Sequence, residues 1–242
     1  MGHWYNKDGK PCHFQEDGKD TTLRHARKQD LRPSVTEILN IMDKPGLTRY
    51  FINQHLEAAW DNPLKTADQS YAEWCKEIRQ MASQHGQEAA EHGTKVHDAL
   101  ERWLLGKEIQ DQYLNTVGAV YGALKGVYGE VVDTLKPEVT FATETYGGSV
   151  DAVGEGLILD FKTKQKWETK KDSTPKKMWY VESHAAQLAA YRHGLGVEAR
   201  CSNVFIGPED EVFIHEWSEE DLERGLRIFT DCLSLWKDTK DF

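Results

Sequence analysis

The chain has 242 residues, 39% hydrophobic and 29% charged, with a formal net charge of −10. That length can bury a full core, so one domain, or one domain with a helical elaboration, is expected. The acidic balance speaks against nucleic-acid binding through bulk charge alone, but leaves room for an enzyme with a local basic groove.

The N-terminal "MGHWYNKDGKPCHF" lacks the basic start and apolar run of a secretion signal. No stretch approaches the roughly 18–20 apolar residues of a membrane span, so a cytoplasmic protein is expected. "NKDGKP" and "EDGKD" read as turns between short strands. In "TTLRHARKQDLRPSVTEIL", Arg24, Arg27, Lys28 and Arg32 form a basic cluster, and Ser34 followed by Glu37 marks a capped helix start. The helical pattern then runs to about residue 134. "AAEHGTKVHDALERWLLG" places Val96, Leu100, Trp103 and Leu104 at helical spacing and stops at Gly106.

Pro137 changes the period. "EVTFATETY", "GGSVDAVG" and "GLILDFKTK" have strand length and are separated by glycine turns. Residues 165–180 are polar and lysine-rich, which predicts a mobile loop. "ESHAAQLAAYRHGLG" is a helix, "CSNVFIG" and "EVFIHEW" a second hairpin, and "SEEDLERGLRIFTDCLSLW" a final amphipathic helix. Cys12, Cys75, Cys201 and Cys232 are far apart, which argues against a zinc ribbon or disulfide framework and predicts reduced thiols.

The stretch "GGSVDAVGEGLILDFKTK" gathers chemistry. Alternation along a strand puts Asp160, Lys162 and Lys164 on one face. Folding at Glu155 brings Asp151 to nearly the same height on the partner strand. Two carboxylates so placed repel, and a hard divalent cation relieves the repulsion. The Phe161 carbonyl offers another oxygen, and Lys162 stands where it can orient or help deprotonate an attacking water. The rival reading is an ordinary hairpin with solvated polar groups, but the apolar approach "GLILD" places Asp160 at the end of a buried strand. Upstream, His97 sits beside an apolar helical stripe. Downstream, Gln187 and Tyr191 are four apart on one helix face.

In that order, His97, "GGSVD", "ILDFK" and the Q-x-x-x-Y of Gln187 and Tyr191 resemble the PD-(D/E)XK nuclease superfamily, RecB-like branch. The likeness spans about residues 92–195. The front segment is similar in style to phage-encoded exonucleases and to the mitochondrial genome maintenance exonuclease. The resemblance implies an α/β fold with a restriction-endonuclease-like core, a mixed central sheet flanked by helices. Residues 1–90 would be an N-terminal hairpin and helical elaboration packed on a core at 91–242.

It further implies that His97, Asp151, Asp160 and the Phe161 carbonyl bind Mg2+ or Mn2+. Asp151, Asp160 and Lys162 would then be catalytic. Gln187 and Tyr191 would steady the site and the nearby DNA backbone, and Glu138 or Glu144 would stand where relatives carry another acid. Arg24, Arg27, Arg32 and Lys164 are the expected phosphate contacts, and Trp167, Trp179 and Tyr180 candidates for stacking on unpaired bases. The late cysteines of relatives with iron–sulfur clusters are missing, so no cluster is expected. No G-x-x-x-x-G-K-[ST] loop is present, so no ATP is expected.

The implied activity is metal-dependent DNA exonuclease action from ends, preferring single strands, in DNA recombination or repair. A single-strand-binding or recombination protein would be its partner, and the host cytoplasm its place if phage-encoded. The alternatives are a structure-specific or nicking endonuclease of the same fold, a catalytically inactive protein that binds DNA or a partner, and a helical scaffold protein.

Overall fold

The computed structural model describes residues 2–63, 70–164 and 182–242. The expected loop at 165–180, with Trp167, Trp179 and Tyr180, lies outside the described residues. Two compact units are present: Met1–Met42 together with His97–Phe242, and Asp43–Val96. The division differs from a boundary near residue 90: the first forty-two residues belong with the sheet, and residue 90 lies inside a continuous helix.

In the larger unit, β1 (Trp4–Tyr5) pairs antiparallel with β2 (Arg32–Pro33). Between them runs α1 (Leu23–Gln29), capped by Thr22. Ser34 caps α2 (Val35–Leu39) by accepting the Glu37 N–H, as its spacing predicts, but this helix is only five residues long. Such a cap contributes on the order of 1 kcal/mol.

The smaller unit holds α3 (Pro45–Asp61) and most of α4 (Tyr71–Leu104). Ala58, Ile78 and Ala82 form its small core, with Trp74 packed against them. The Trp74 indole donates to the Asn62 carbonyl at 2.7 Å. The last turns of α4 belong to the larger unit and end near Gly106, whose φ of +63° suits glycine.

After α5 (Leu114–Tyr128) and a 3-10 turn at Gly129–Thr134, the chain enters the sheet. β3 (Lys136–Ala142), β4 (Gly147–Gly154) and β5 (Leu157–Thr163) form an antiparallel meander. Glu155 and Gly156 make the turn, with Gly156 at φ +68°. The helix α6 (Glu182–Leu195) then leads to β6 (Arg200–Ile206), which pairs parallel to β5. β7 (Val212–Glu216) returns antiparallel to β6, and α7 (Glu219–Lys240), capped by Ser218, ends the chain. Sheet order is β3-β4-β5-β6-β7, so the fold is α/β with a mixed central sheet flanked by helices.

The apolar pattern explains the layers. β5 and β6 are buried on both faces and read as apolar runs. On one face, Ala185, Ala186, Ala189 and Ala190 of α6 form a low surface that joins Ile158, Cys201, Leu222 and Phe229 in the main core. On the other face, α5 reaches β6 through a hydrogen bond between Tyr128 and Ser202 at 2.6 Å. α6 and α7 cross closely at Gly225, where a methyl group would stand 2.8 Å from the Ala185 backbone. Among the described residues, no helix is long and apolar enough to cross a membrane.

Candidate active site

Strand register builds the site. Asp160 pairs with Asn203, and Asn203 with His215. The β4–β5 ladder ends at Ala152–Leu159, and its register sets Asp151 opposite Asp160. Glu138 lies between the Pro137–Ala152 and Val139–Val150 pairs, level with Asp151. A single transverse row of five strands thus carries Glu138, Asp151, Asp160, Asn203 and His215. Glu138 has φ +49°, a left-handed conformation inside a strand. For a residue with a side chain, that backbone costs on the order of 1–3 kcal/mol and is concentrated at functional sites.

Asp160 is 2% exposed. Its carboxylate accepts from Lys162 Nζ at 2.8 Å, from Gln187 Nε2 at 3.0 Å and from Asn203 Nδ2 at 2.7 Å. Gln187 Nε2 also donates to the Tyr191 hydroxyl at 2.9 Å. Asp151 accepts the Phe161 N–H at 2.7 Å, and His97 Nδ1 lies 3.7 Å from the same carboxylate oxygen.

The electrostatics are unbalanced. Burial, followed by the Asp160 charge, raises the Asp151 pKa to about 8; Lys162 and the Phe161 N–H only partly oppose this. Burial works against the Lys162 charge, but Asp160 and then Asp151 outweigh it and hold the ammonium above its ordinary pKa. Lys162 is therefore a proton donor at neutral pH, suited to orienting a water rather than deprotonating it. Burial lowers the His97 pKa, and the opposing Asp160 charge does not make up for it, so the imidazole is neutral.

The donor set fits a divalent cation chemically. A neutral imidazole, two opposed carboxylates and a backbone carbonyl are the donor types such an ion takes, and the Asp160 charge adds to burial in raising the Asp151 pKa. Among the described residues, no three His, Cys, Asp or Glu side chains are already gathered as a metal group. The oxygens of Asp160 are taken up by Lys162, Gln187 and Asn203, so a cation would have to compete with the lysine for that carboxylate.

The other expected contacts have specific placements. Gln187 and Tyr191 are 8% and 5% exposed, with their polar atoms engaged on Asp160 and on each other. They brace the acid and are too enclosed to reach a DNA backbone. Lys164 Nζ lies 5.5 Å from the Phe205 ring centre, and burial followed by the Lys162 charge lowers its pKa. Arg24 is exposed on α1. Arg27 caps α7 through the Lys240 carbonyl, and Arg32 bonds the carbonyl and carboxylate of Asp30. Glu138 accepts from Ser149 Oγ at 2.6 Å.

Sequence reading missed Asn203, Trp217 and His184. An asparagine inside the apolar run "CSNVFI" is the signal that was present, because a buried amide must have partners. His184, in the first turn of α6, has its pKa pushed down to about 4, mainly by burial and next by the Lys162 charge.

The chain matches no family model and no curated protein. Three solved structures are similar in part. A protein of Eubacterium rectale, described as a candidate exonuclease, aligns at 12% identity and TM-score 0.43, over 60% of this chain and 66% of that one. The protein SSO0001 aligns at 21% identity and TM-score 0.32, over 50% and 56%. An alkaline exonuclease of Laribacter hongkongensis aligns at 15% identity and TM-score 0.31, over 79% and 97%. The chain thus spans less than two thirds of the first two. At such partial superposition, the functional reading rests on the residues of the site.

Proposed function

We propose that the chain is a divalent-cation-dependent nuclease of the PD-(D/E)XK type, RecB-like branch, that hydrolyses DNA phosphodiester bonds. Its expected kin are the phage-type exonucleases and the mitochondrial genome maintenance exonuclease. The observation that carries the reading is the row in which half-buried Asp151 faces buried Asp160, with Lys162 on one side and neutral His97 on the other. Two carboxylates kept opposed, one buried and one half-buried, with Asp151 raised to a pKa of about 8, are poorly explained as packing.

His97, Asp151, Asp160 and the Phe161 carbonyl would hold Mg2+ or Mn2+. Such a cation, when bound, would neutralise charge on the scissile phosphate and make a nearby water more acidic. Asp151 gives up its proton as the site fills. Lys162 stays charged and donates to the attacking water or a phosphate oxygen. Gln187, held by Tyr191, keeps Asp160 from rotating. Arg24, Arg27, Arg32 and Lys164 are the proposed phosphate contacts. Attack from DNA ends, a single-strand preference and a recombination or single-strand-binding partner follow from the family resemblance.

Purified protein with Mg2+ or Mn2+ should shorten end-labelled linear DNA, single strands fastest, and chelator should stop it. Intact single-stranded, double-stranded and forked DNA with both metals would refute the proposal. Cutting of covalently closed circles would shift it to an endonuclease.

A further inference from the structure

Asn203 and Trp217 carry polar chemistry that the reading above leaves unused. Asn203 is fully buried, at 0% exposed, and lies beside Asp160 on the neighbouring parallel strand. Its Nδ2 donates to Asp160 Oδ2 at 2.7 Å. Its Oδ1 accepts from the Trp217 indole Nε1 at 2.7 Å, and Trp217 is 8% exposed. His215 packs edge-on against the indole at a ring separation of 4.4 Å.

An asparagine amide can face either way, whereas an indole N–H only donates. With the indole on one side, the amide oxygen must turn toward Trp217. The NH2 must then turn toward Asp160. A flipped amide would set NH2 against N–H on one side and oxygen against carboxylate on the other, leaving two unmet pairs in a dry interior.

We infer that Asn203 and Trp217 form a positioning relay: the indole locks the Asn203 amide, and the amide locks the Asp160 carboxylate in the orientation required of a cation ligand. This rests on the nuclease reading for its purpose, but the lock itself is independent of it. The relay matters because a cation would have to compete with Lys162 for Asp160. When the lysine shifts toward substrate, Gln187 and Asn203 remain as fixed donors, so the carboxylate keeps its direction while its partner changes. Both are positioning residues, since neither faces substrate.

Trp217→Phe keeps an aromatic side chain but removes the N–H together with the pyrrole half of the indole, so its unfolding is measured alongside. Asn203→Leu keeps approximate shape and removes both polar ends, and Asn203→Asp keeps shape but opposes one carboxylate with another. Mn2+ affinity by calorimetry should fall roughly 10–100-fold in Asn203→Leu and Asn203→Asp, as for other groups that orient metal ligands. Trp217→Phe should lose a smaller factor. In cleavage, kcat should fall while KM for DNA holds.

A second measurement needs neither metal nor variant stability. In the metal-free protein, the Asn203 side-chain amide protons should exchange with solvent far more slowly than those of exposed asparagines such as Asn115. Wild-type Mn2+ affinity and kcat in folded Trp217→Phe and Asn203→Leu would overturn the relay, as would Asn203 amide protons exchanging at solvent rates. Wild-type protein that binds Mn2+ but cuts no DNA would instead refute the nuclease reading, and the relay would still be judged on affinity and exchange.

Discussion

The Phe161 N–H donates to the Asp151 carboxylate at 2.7 Å, just beyond Ala152 and Leu159, the last paired residues of β4 and β5. A side chain has replaced the partner strand at this point. The two strands part there, and the gap holds the acids. Asp151 is thereby tied to the chain that carries Asp160 and Lys162, so the three move as one piece.

That arrangement makes Asp160 costly to remove. Asp160→Ala leaves the Lys162 ammonium in a half-buried place without its nearest counterion. Breaking a fully enclosed pair costs roughly 3–5 kcal/mol, and because Lys162 retains 27% exposure the loss should be lower, about 2–3 kcal/mol. Lys162→Met should be milder in denaturant unfolding. Both should lose DNA cleavage entirely, and full activity in either would remove it from the catalytic set.

Cation binding should release a proton. With the Asp151 pKa raised to about 8, the release should be large at pH 6 and should fade well above pH 8. Mn2+ titrations in buffers of different ionisation heats measure this directly. Asp151→Asn should abolish the release, and His97→Ala should weaken binding while leaving the release in place.

The same pKa sets a trend in stability. The folded chain holds a proton on Asp151 more tightly than the unfolded chain does, so this contribution is full below about pH 4 and is lost as pH rises toward 8. Metal-free wild type should therefore lose thermal stability relative to Asp151→Asn between pH 5 and pH 8. A constant difference in Tm across that window would contradict the assignment.

Gly225→Ala tests the helix crossing. The added methyl would meet the Ala185 carbonyl carbon and oxygen at 2.8 Å, and backbone atoms in a packed helix yield little. A loss of about 1–3 kcal/mol is expected from thermal or denaturant unfolding. Because Ala185 lies two residues before Gln187 on α6, a modest loss of cleavage in the folded fraction is expected as well.

Much of the site was legible because it is local. The Gly-Glu-Gly turn sets Asp151 against Asp160 within ten residues, and strand alternation gives Lys162. His97 could be singled out only as a member of a pattern, since nothing nearby says what its helix packs on. Asn203 and Trp217 were not legible as site residues, because a parallel pairing across a forty-residue crossover fixes their register. The N-terminal segment shows the same limit: Ser34 announces its helix by local capping, but its packing with α6 and α7 is set by long-range burial. The roles of Gln187 and Tyr191 turned on burial, which an i, i+4 spacing does not report.

The left-handed turn of Glu138 has a consequence beyond the acids. β3 is one edge strand of the sheet, β7 the other, and Gly9 packs against the β3 backbone at Phe141. An invading strand needs an unbroken row of amides and carbonyls in extended register. At Glu138 the row is interrupted, and Pro137 just before it has no N–H to offer. Pro137 and Glu138, level with Asp151 and its neighbour, thus also interrupt the backbone ladder that strand addition at this edge would need.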